Sequence, residues 1–249
     1  MSGHSKWAQI KRQKGANDAK RGQMFTKLGR EITVAARNGG GDPAANFRLR
    51  LAIQRARENN MPLDNIERAI KRATGATEGS TLEEVVYEGY GPNGAAIMVE
   101  ALTDNRNRTV SEVRNVFARA GGSLGETGCV SWLFDPKGVV TIDASGRDAD
   151  EIALAAIDAG AEDVRTEDDA VEVYTAPEAL ESVRQTLEKS GLPISSAEIT
   201  QQPKTTIELD EKDAIQVLKL MDRLEELDDV QRVHSNVDFP SDILEKYVG

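Results

Sequence analysis

The hydrophobic pattern of the chain changes its period once, near residue 75, and this change constrains the fold more than any other feature. Up to residue 73, apolar residues recur at the three- and four-residue spacing of helices. Beyond residue 83, strand-like runs alternate with helical segments, and a polar stretch rich in Gly, Thr and Ser (residues 74–82) separates the two patterns. The sequence therefore predicts a helical module over residues 1–75, joined by a linker to α/β domains.

The helical module carries a charge opposite to that of the rest of the chain. Residues 1–75 hold 16 Lys and Arg against 6 Asp and Glu, whereas the remaining residues hold 15 against 36, so the net charge is −11. In the first predicted helix, Phe25, Leu28 and Ile32 share one side, and Lys27 and Arg30 fall on the other. A second helix is predicted to open at Asp42–Pro43 and a third after Pro62. Cations outside the apolar stripes predict a module that binds a polyanion.

The order of strands and helices predicts two further domains. Residues 137–202 read as a complete β-α-β-β-α-β unit, the ferredoxin-like arrangement. The β-β-α-β pattern of residues 83–135 and the β-α-β pattern of residues 204–239 are each too small to close a sheet alone. We therefore predict an α+β protein: a basic helical bundle (1–75) followed by two ferredoxin-like α/β domains, with the third (137–202) inserted into the second (83–135 plus 204–239). Two domains in series are the alternative.

Two clusters of cations are the candidate nucleic-acid contacts. A basic arm precedes the first helix, and its charge continues into that helix. A second, smaller cluster lies in Asn105–Thr109, where helix capping with local ion pairs and a phosphate contact are both reasonable interpretations. A helix is predicted to follow, with Thr109 or a neighbour as its N-cap. The candidate contacts are Lys6, Lys11, Arg12, Lys14, Lys20, Arg21, Lys27, Arg30, Arg106 and Arg108.

Other motifs point away from catalysis, a cofactor or a metal. Gly89–Gly94 matches G-x-G-x-x-G, but a strand follows it, so a hairpin turn is predicted and not a dinucleotide site. The two histidines, His4 and His234, lie far apart and show no metal-site spacing. Cys129 lies in the apolar run CVSWLFD, which predicts a strand with a buried thiol. We therefore expect a non-enzymatic protein without cofactor or metal ligands. The single cysteine and the lack of long apolar runs predict a cytoplasmic protein without a membrane partner.

Four segments resemble the YebC/PmpR family. They are GHSKWAQIKRQKGANDAKRGQMFTKLGREI, GGGDPAANFRLRLAIQRARENNMPLDNIERAI, VVYEGYGPNGAAIMVEALTDNRNRTVSEVRNVF and GGSLGETGCVSWLFD. The resemblance implies a three-domain bacterial cytoplasmic protein, described in that family as a probable DNA-binding transcriptional regulator. It also implies a second role in translation on the ribosome, including relief of stalling at proline-rich stretches. It makes the basic segment from Lys6 to Arg30 the expected nucleic-acid contact.

Two functions therefore stay open at the level of sequence. In the first, the basic module holds DNA and the chain regulates transcription, while the acidic α/β domains contact protein partners. In the second, the arm and the Asn105–Thr109 loop contact ribosomal RNA. Positive charge predicts a phosphate backbone but does not distinguish DNA from RNA.

Overall fold

The computed structural model of the chain describes residues 18–75, 82–167 and 170–248, and the protein is α+β. The helices, numbered in chain order, are α1 Asp18–Gly39, α2 Phe47–Glu58, α3 Leu63–Thr74, α4 Arg106–Arg119, α5 Ala149–Asp158, α6 Leu180–Lys189, α7 Glu211–Glu225 and α8 Ser241–Val248. The strands are β1 Glu83–Tyr90, β2 Ala96–Thr103, β3 Ser123–Leu124, β4 Phe134–Asp143, β5 Asp163–Glu167, β6 Ala170–Thr175, β7 Ile194–Pro203, β8 Ile207–Glu208, β9 Val230–Ser235 and β10 Val237–Asp238.

Helices α1, α2 and α3 pack around one small apolar core. Its fully buried centre includes Ile32, Leu49 and Ile66, one side chain from each helix. The second helix begins later than the sequence predicted, at Phe47, because buried Asn46 is its N-cap. The Asn46 side chain accepts from the backbone N–H of Leu49 and donates to the carbonyl of Ala35, so it joins the two helices as well as capping one.

The first sheet has the strand order β3-β1-β2-β9. Strands β1 and β2 form an antiparallel hairpin from Glu83↔Thr103 to Tyr90↔Ala96, and a 3₁₀ turn at Pro92–Gly94 connects them. The G-x-G-x-x-G segment is therefore a hairpin turn, as predicted. Helices α4 and α7 supply Phe117 and Met221, among others, to the core on this sheet.

Of two strand predictions in this part of the chain, one is wrong and the other is confirmed over two residues only. The run CVSWLFD holds no strand of the first sheet: Ser131–Leu133 is a 3₁₀ turn, and the sheet's edge is the two-residue strand β3. Cys129 lies in the preceding loop and is half-buried. Burial and the charge of Glu88 raise the pKa of its thiol, which stays protonated at neutral pH. The run TTIELD (205–210), which is the first strand of the predicted β-α-β pattern of residues 204–239, contributes only β8, which pairs in parallel with β10.

Residues 134–202 form a compact unit of their own, and the described residues before and after them form the other. The smaller unit has the element order β4-α5-β5-β6-α6-β7 and the strand order β5-β6-β4-β7. Strand β6 pairs antiparallel with both β4 and β5. Its core includes Ile142, Tyr174 and Leu187, all buried. The larger unit contains both the helical bundle and the first sheet.

Candidate nucleic-acid interface

The predicted contact residues of the basic arm lie outside the described residues. These are Lys6, Lys11, Arg12 and Lys14, and the side chain of Lys20 in α1 is outside them too. Arg21, in the first turns of α1, is exposed, and its guanidinium carbon lies 6.0 Å from the centroid of the Phe25 ring. Arg21 is therefore positioned at the surface, where a phosphate could reach it.

Lys27 and Arg30 face the α/β part of the same unit. Lys27 Nζ donates to the carbonyl oxygen of Glu225 at the end of α7. Arg30 Nη1 donates to Asp229 Oδ1 at 2.6 Å and to the carbonyl oxygen of Asp228 at 2.8 Å. These two predicted contacts therefore attach α1 to the loop between α7 and β9.

Asp229 is the centre of this attachment. Its second oxygen accepts from Arg108 Nη2 at 2.6 Å and from Thr109 Oγ1 at 2.7 Å. Its residue surface is only 1% exposed. Burial would raise the pKa of the Asp229 carboxyl, but the hydrogen bonds from Arg108, Thr109 and Arg30 outweigh burial and lower it. Asp229 therefore stays ionised and neutralises two arginines that are distant in sequence.

The Asn105–Thr109 loop forms a helix cap with ion pairs around it. The side chain of Asn105 accepts from the backbone N–H of Arg108 and caps α4, which begins at Arg106 and not after Thr109 as predicted. Arg106 Nε lies 3.0 Å from Glu83 Oε2, and Arg108 Nη2 lies 2.9 Å from Asp104 Oδ1 as well as on Asp229. Of the two interpretations left open for this loop, the contacts correspond to capping with local ion pairs.

Arg30 and Arg108 meet at one surface depression of about 440 Å³. They lie on α1 and α4 and are brought together only by folding. The other charged lining groups are all acidic: Asp104, Glu112, Glu226, Asp228 and Asp229. Five carboxylates therefore surround two guanidiniums, and the charged lining is acidic on balance.

A second set of contacts joins the bundle to the sheet through Glu31. Its two carboxylate oxygens pair with Arg55 at 3.2 Å and with Arg232 at 3.1 Å. At the rim, Arg48 pairs with Glu84 at 2.7 Å, where both side chains are about half exposed. The cations of the bundle therefore divide into a group that holds the bundle on the sheet and a group that faces solvent.

The outward-facing group has five members, one on α1, one on α2 and three on α3. Among the described residues, its charged groups make no hydrogen bond or ion pair with one another or with an acidic side chain. Each is exposed, and none was among the predicted contacts. They are Arg37, Arg57, Arg68, Lys71 and Arg72.

Sequence reasoning missed the acidic partners of the predicted cations. The run Glu225, Glu226, Asp228, Asp229 predicts a solvated helix end, and this is wrong for Asp229, which is buried. Its arginine partners lie 199 and 121 residues away. No local pattern indicates a pairing over such separations.

Comparison with known proteins shows the family. The model described as "TACO1/YebC protein N-terminal domain" matches residues 5–76, and the model described as "TACO1/YebC second and third domain" matches residues 82–237. The chain belongs to the TACO1/YebC family. This confirms the resemblance seen in the sequence.

The relatives are similar along the whole chain. A probable transcriptional regulatory protein of Dehalococcoides mccartyi is 59% identical over 247 residues, covering 99% of this chain and 98% of its own length. A protein of the same description from Trichlorobacter lovleyi is 58% identical, with 99% of each chain covered. The crystal structure of a conserved hypothetical protein of Aquifex aeolicus is 52% identical. It superposes with a TM-score of 0.82 over 90% of this chain and 93% of that one.

Two further findings bear on partners. Within residues 18–75, 82–167 and 170–248, no helix is long and apolar enough to cross a bilayer. In the same ranges, no group of three or more His, Cys, Asp or Glu side chains is arranged to hold a metal ion.

Proposed function

We propose that this family member is a non-catalytic, cytoplasmic regulatory protein that binds nucleic acid through its basic N-terminal segment. The observation that carries the proposal is the excess of ten positive charges in residues 1–75 of a chain whose net charge is −11. The names of the relatives favour DNA and transcription as the setting. The acidic α/β domains, with an excess of 21 negative charges outside residues 1–75, are kept off the polyanion and are free for protein partners.

The contacts in the structure divide the predicted cations into two roles, structural attachment and phosphate binding. Lys27 and Arg30 hold the bundle on the α/β part of the unit, whereas Arg108 shares the Asp229 carboxylate with Arg30 and Arg106 pairs with Glu83 at the surface. Phosphate binding then rests on Lys6, Lys11, Arg12, Lys14, Lys20 and Arg21, together with the exposed cations of the three helices. Phosphate contacts of this kind position a protein without reading sequence.

A second candidate function is binding to ribosomal RNA in translation. It is favoured by a pair of exposed aromatic rings in the α/β part of the same unit, Trp132 and Tyr90, because unpaired bases of RNA stack on aromatic side chains. On the ribosome, the same basic segment would contact the phosphates of the RNA.

The experiment tests the segment without removing it. Deletion of residues 18–75 would expose the surfaces that Arg30 and Glu31 cover, so we use Lys11→Glu/Arg12→Glu/Lys14→Glu. The matched control is Lys189→Glu/Lys212→Glu/Lys219→Glu, which changes the net charge equally at exposed lysines of α6 and α7. Binding to a duplex DNA and to ribosomal RNA is measured by fluorescence anisotropy at 50 mM salt. We expect the arm variant to lose at least tenfold in affinity and the control to stay within about twofold. Equal losses in both variants would contradict the proposal.

The partner is distinguished by sedimentation of native lysate on a sucrose gradient. Co-migration with ribosomes that the arm variant abolishes would support the translational role. Absence from ribosomal fractions, together with shifts of promoter fragments that resist competitor DNA, would support the transcriptional role.

A further inference from the structure

Two aromatic side chains stand out on the surface of the larger unit. Trp132 is 63% exposed and Tyr90 is 39% exposed. They come from different places, the 3₁₀ turn Ser131–Leu133 and the last residue of β1. Exposed aromatic side chains lose the stabilisation that burial would give, so such a pair on a surface indicates a binding site.

The polar atoms of both rings are already engaged. Trp132 Nε1–H and the Tyr90 hydroxyl both donate to the carbonyl oxygen of Cys129, each at 3.0 Å. Both rings are therefore hydrogen-bonded to the same carbonyl oxygen. What they offer to a partner is ring surface and not a hydrogen-bonding group.

The loop that contains Cys129 is held in place by the carboxylate of Glu88. The Glu88 carboxylate, in a residue only 4% exposed, accepts from the backbone N–H groups of Gly128 (2.8 Å), Val130 (2.8 Å) and Ser131 (2.7 Å). Burial would raise the pKa of Glu88, but these three hydrogen bonds outweigh it and lower the pKa, so the carboxylate stays charged.

Lys204 holds the loop from the other end, since its Nζ donates to the carbonyl oxygen of Trp132 at 3.0 Å. A surface held in place in this way loses little conformational entropy when it binds.

We propose that Tyr90 and Trp132 form a stacking platform for an unpaired nucleobase. The inference rests on the proposed function, because the platform belongs to the same compact unit as the basic bundle. A base has a π face that stacks on an aromatic ring irrespective of sequence, and single-stranded ligands present such faces whereas a closed duplex does not.

The surroundings of the platform favour a base over an apolar protein segment. The neighbouring exposed residues of the loop are Glu126, Thr127 and Gly128, which are polar or small. Cores of protein interfaces are contiguous apolar patches with a polar rim, and two ring faces in polar surroundings lack that breadth.

The protein contains two tryptophans, Trp7 and Trp132, so Trp7→Phe makes Trp132 the sole tryptophan reporter. The full-length variant is titrated with a 12-nucleotide adenine RNA, a 12-base-pair duplex of mixed sequence and a 12-residue polyproline peptide. We expect quenching of Trp132 emission that saturates with the single strand and not with the duplex. Trp132→Leu, in the wild-type background, should weaken single-strand binding about tenfold, measured by anisotropy. Trp132→Phe, which keeps a ring, should restore most of the affinity.

The melting temperature of each variant is measured to check that the variant is folded. Tyr90→Phe serves as a second probe of the platform, because it removes only the hydroxyl and keeps the ring. The platform is refuted if duplex binds with strong salt dependence while Trp132 emission is unchanged by single strands, a result that leaves the proposed function intact. It is equally refuted if Trp132→Leu binds RNA like the wild type, or if only the polyproline peptide quenches. If the full chain binds no nucleic acid, both the platform and the proposed function fail.

Discussion

The Asp229 carboxylate attaches the basic helical module to the α/β part of the unit, and Asp229→Asn tests this attachment most sharply. Asparagine keeps the shape and one acceptor oxygen but removes the charge that neutralises Arg30 and Arg108. A hydrogen bond to a charged group contributes about 1.5–3 kcal/mol, and removing one partner of a fully buried ion pair costs about 3–5 kcal/mol. Asp229 is buried, but the arginine side chains are 24% and 42% exposed, so water satisfies them in part. We therefore expect a loss of about 2–3 kcal/mol in unfolding free energy at pH 7.

The stability that Asp229 contributes should also depend on pH. The pKa of Asp229 is lowered in the folded state, so between the folded and unfolded values the unfolded state binds more protons. The contribution is complete above the ordinary pKa of 3.8 and is lost as the pH falls through the lower folded value. The difference between wild type and Asp229→Asn should therefore be constant from pH 7 to about 5 and shrink below about 4.

The assay is urea unfolding followed by Trp132 emission in the Trp7→Phe background. Trp132 and Asp229 belong to the same compact unit, whereas two units need not unfold together. The control is Asp228→Asn, an exposed neighbour that accepts one hydrogen bond from Gln23 at 3.0 Å, with an expected loss under about 0.5 kcal/mol. The reasoning is refuted if the two variants lose equal stability, or if the loss in Asp229→Asn does not change with pH.

Three further outcomes follow from particular contacts. Glu88→Gln should destabilise the larger unit by about 1–3 kcal/mol and speed hydrogen exchange at the amides of Val130 and Ser131, because the amide cannot accept three backbone bonds as a carboxylate does; unchanged exchange would contradict this. Gly89→Ala should destabilise by at least about 1 kcal/mol, since its Cβ would lie 2.5 Å from the carbonyl oxygen of Ser123 and 2.9 Å from Phe117. Gly22→Ala is the matched control in α1, where an added Cβ meets nothing within 4 Å. This substitution should raise the unfolding free energy by about 0.5–1 kcal/mol. Equal melting temperatures for the two alanine variants would refute the packing argument.

The sequence predicted elements whose stability comes from their own periodicity. Helix α1 ends at Gly39 as its glycine run indicates, and the turn in Gly89–Gly94 follows from Pro92 and Asn93 between two apolar runs. These features depend on residues within one turn of each other, so a local pattern suffices to predict them.

The errors arise where distant polar groups decide the local structure. CVSWLFD is rich in residues that favour strands, but the Glu88 carboxylate takes up backbone donors of this run and its neighbours and holds them in a loop. Arg30 and Arg108 resemble any surface arginine in sequence, and only the fold brings Asp229 between them. The partners of a buried charge are fixed by tertiary structure, so sequence indicated the presence of the cations but not which of them are neutralised.

The salt dependence of nucleic-acid binding by the wild-type chain tests the central claim most directly. If the basic segment neutralises about six phosphates, log K plotted against log[salt] has a slope of roughly −5 on duplex, and affinity falls about a thousandfold between 50 and 200 mM salt. Lys11→Glu/Arg12→Glu/Lys14→Glu should bring the slope to about −2 or shallower. A slope near zero in the wild type, or a slope that the substitutions leave unchanged, would contradict the claim that this segment binds the polyanion.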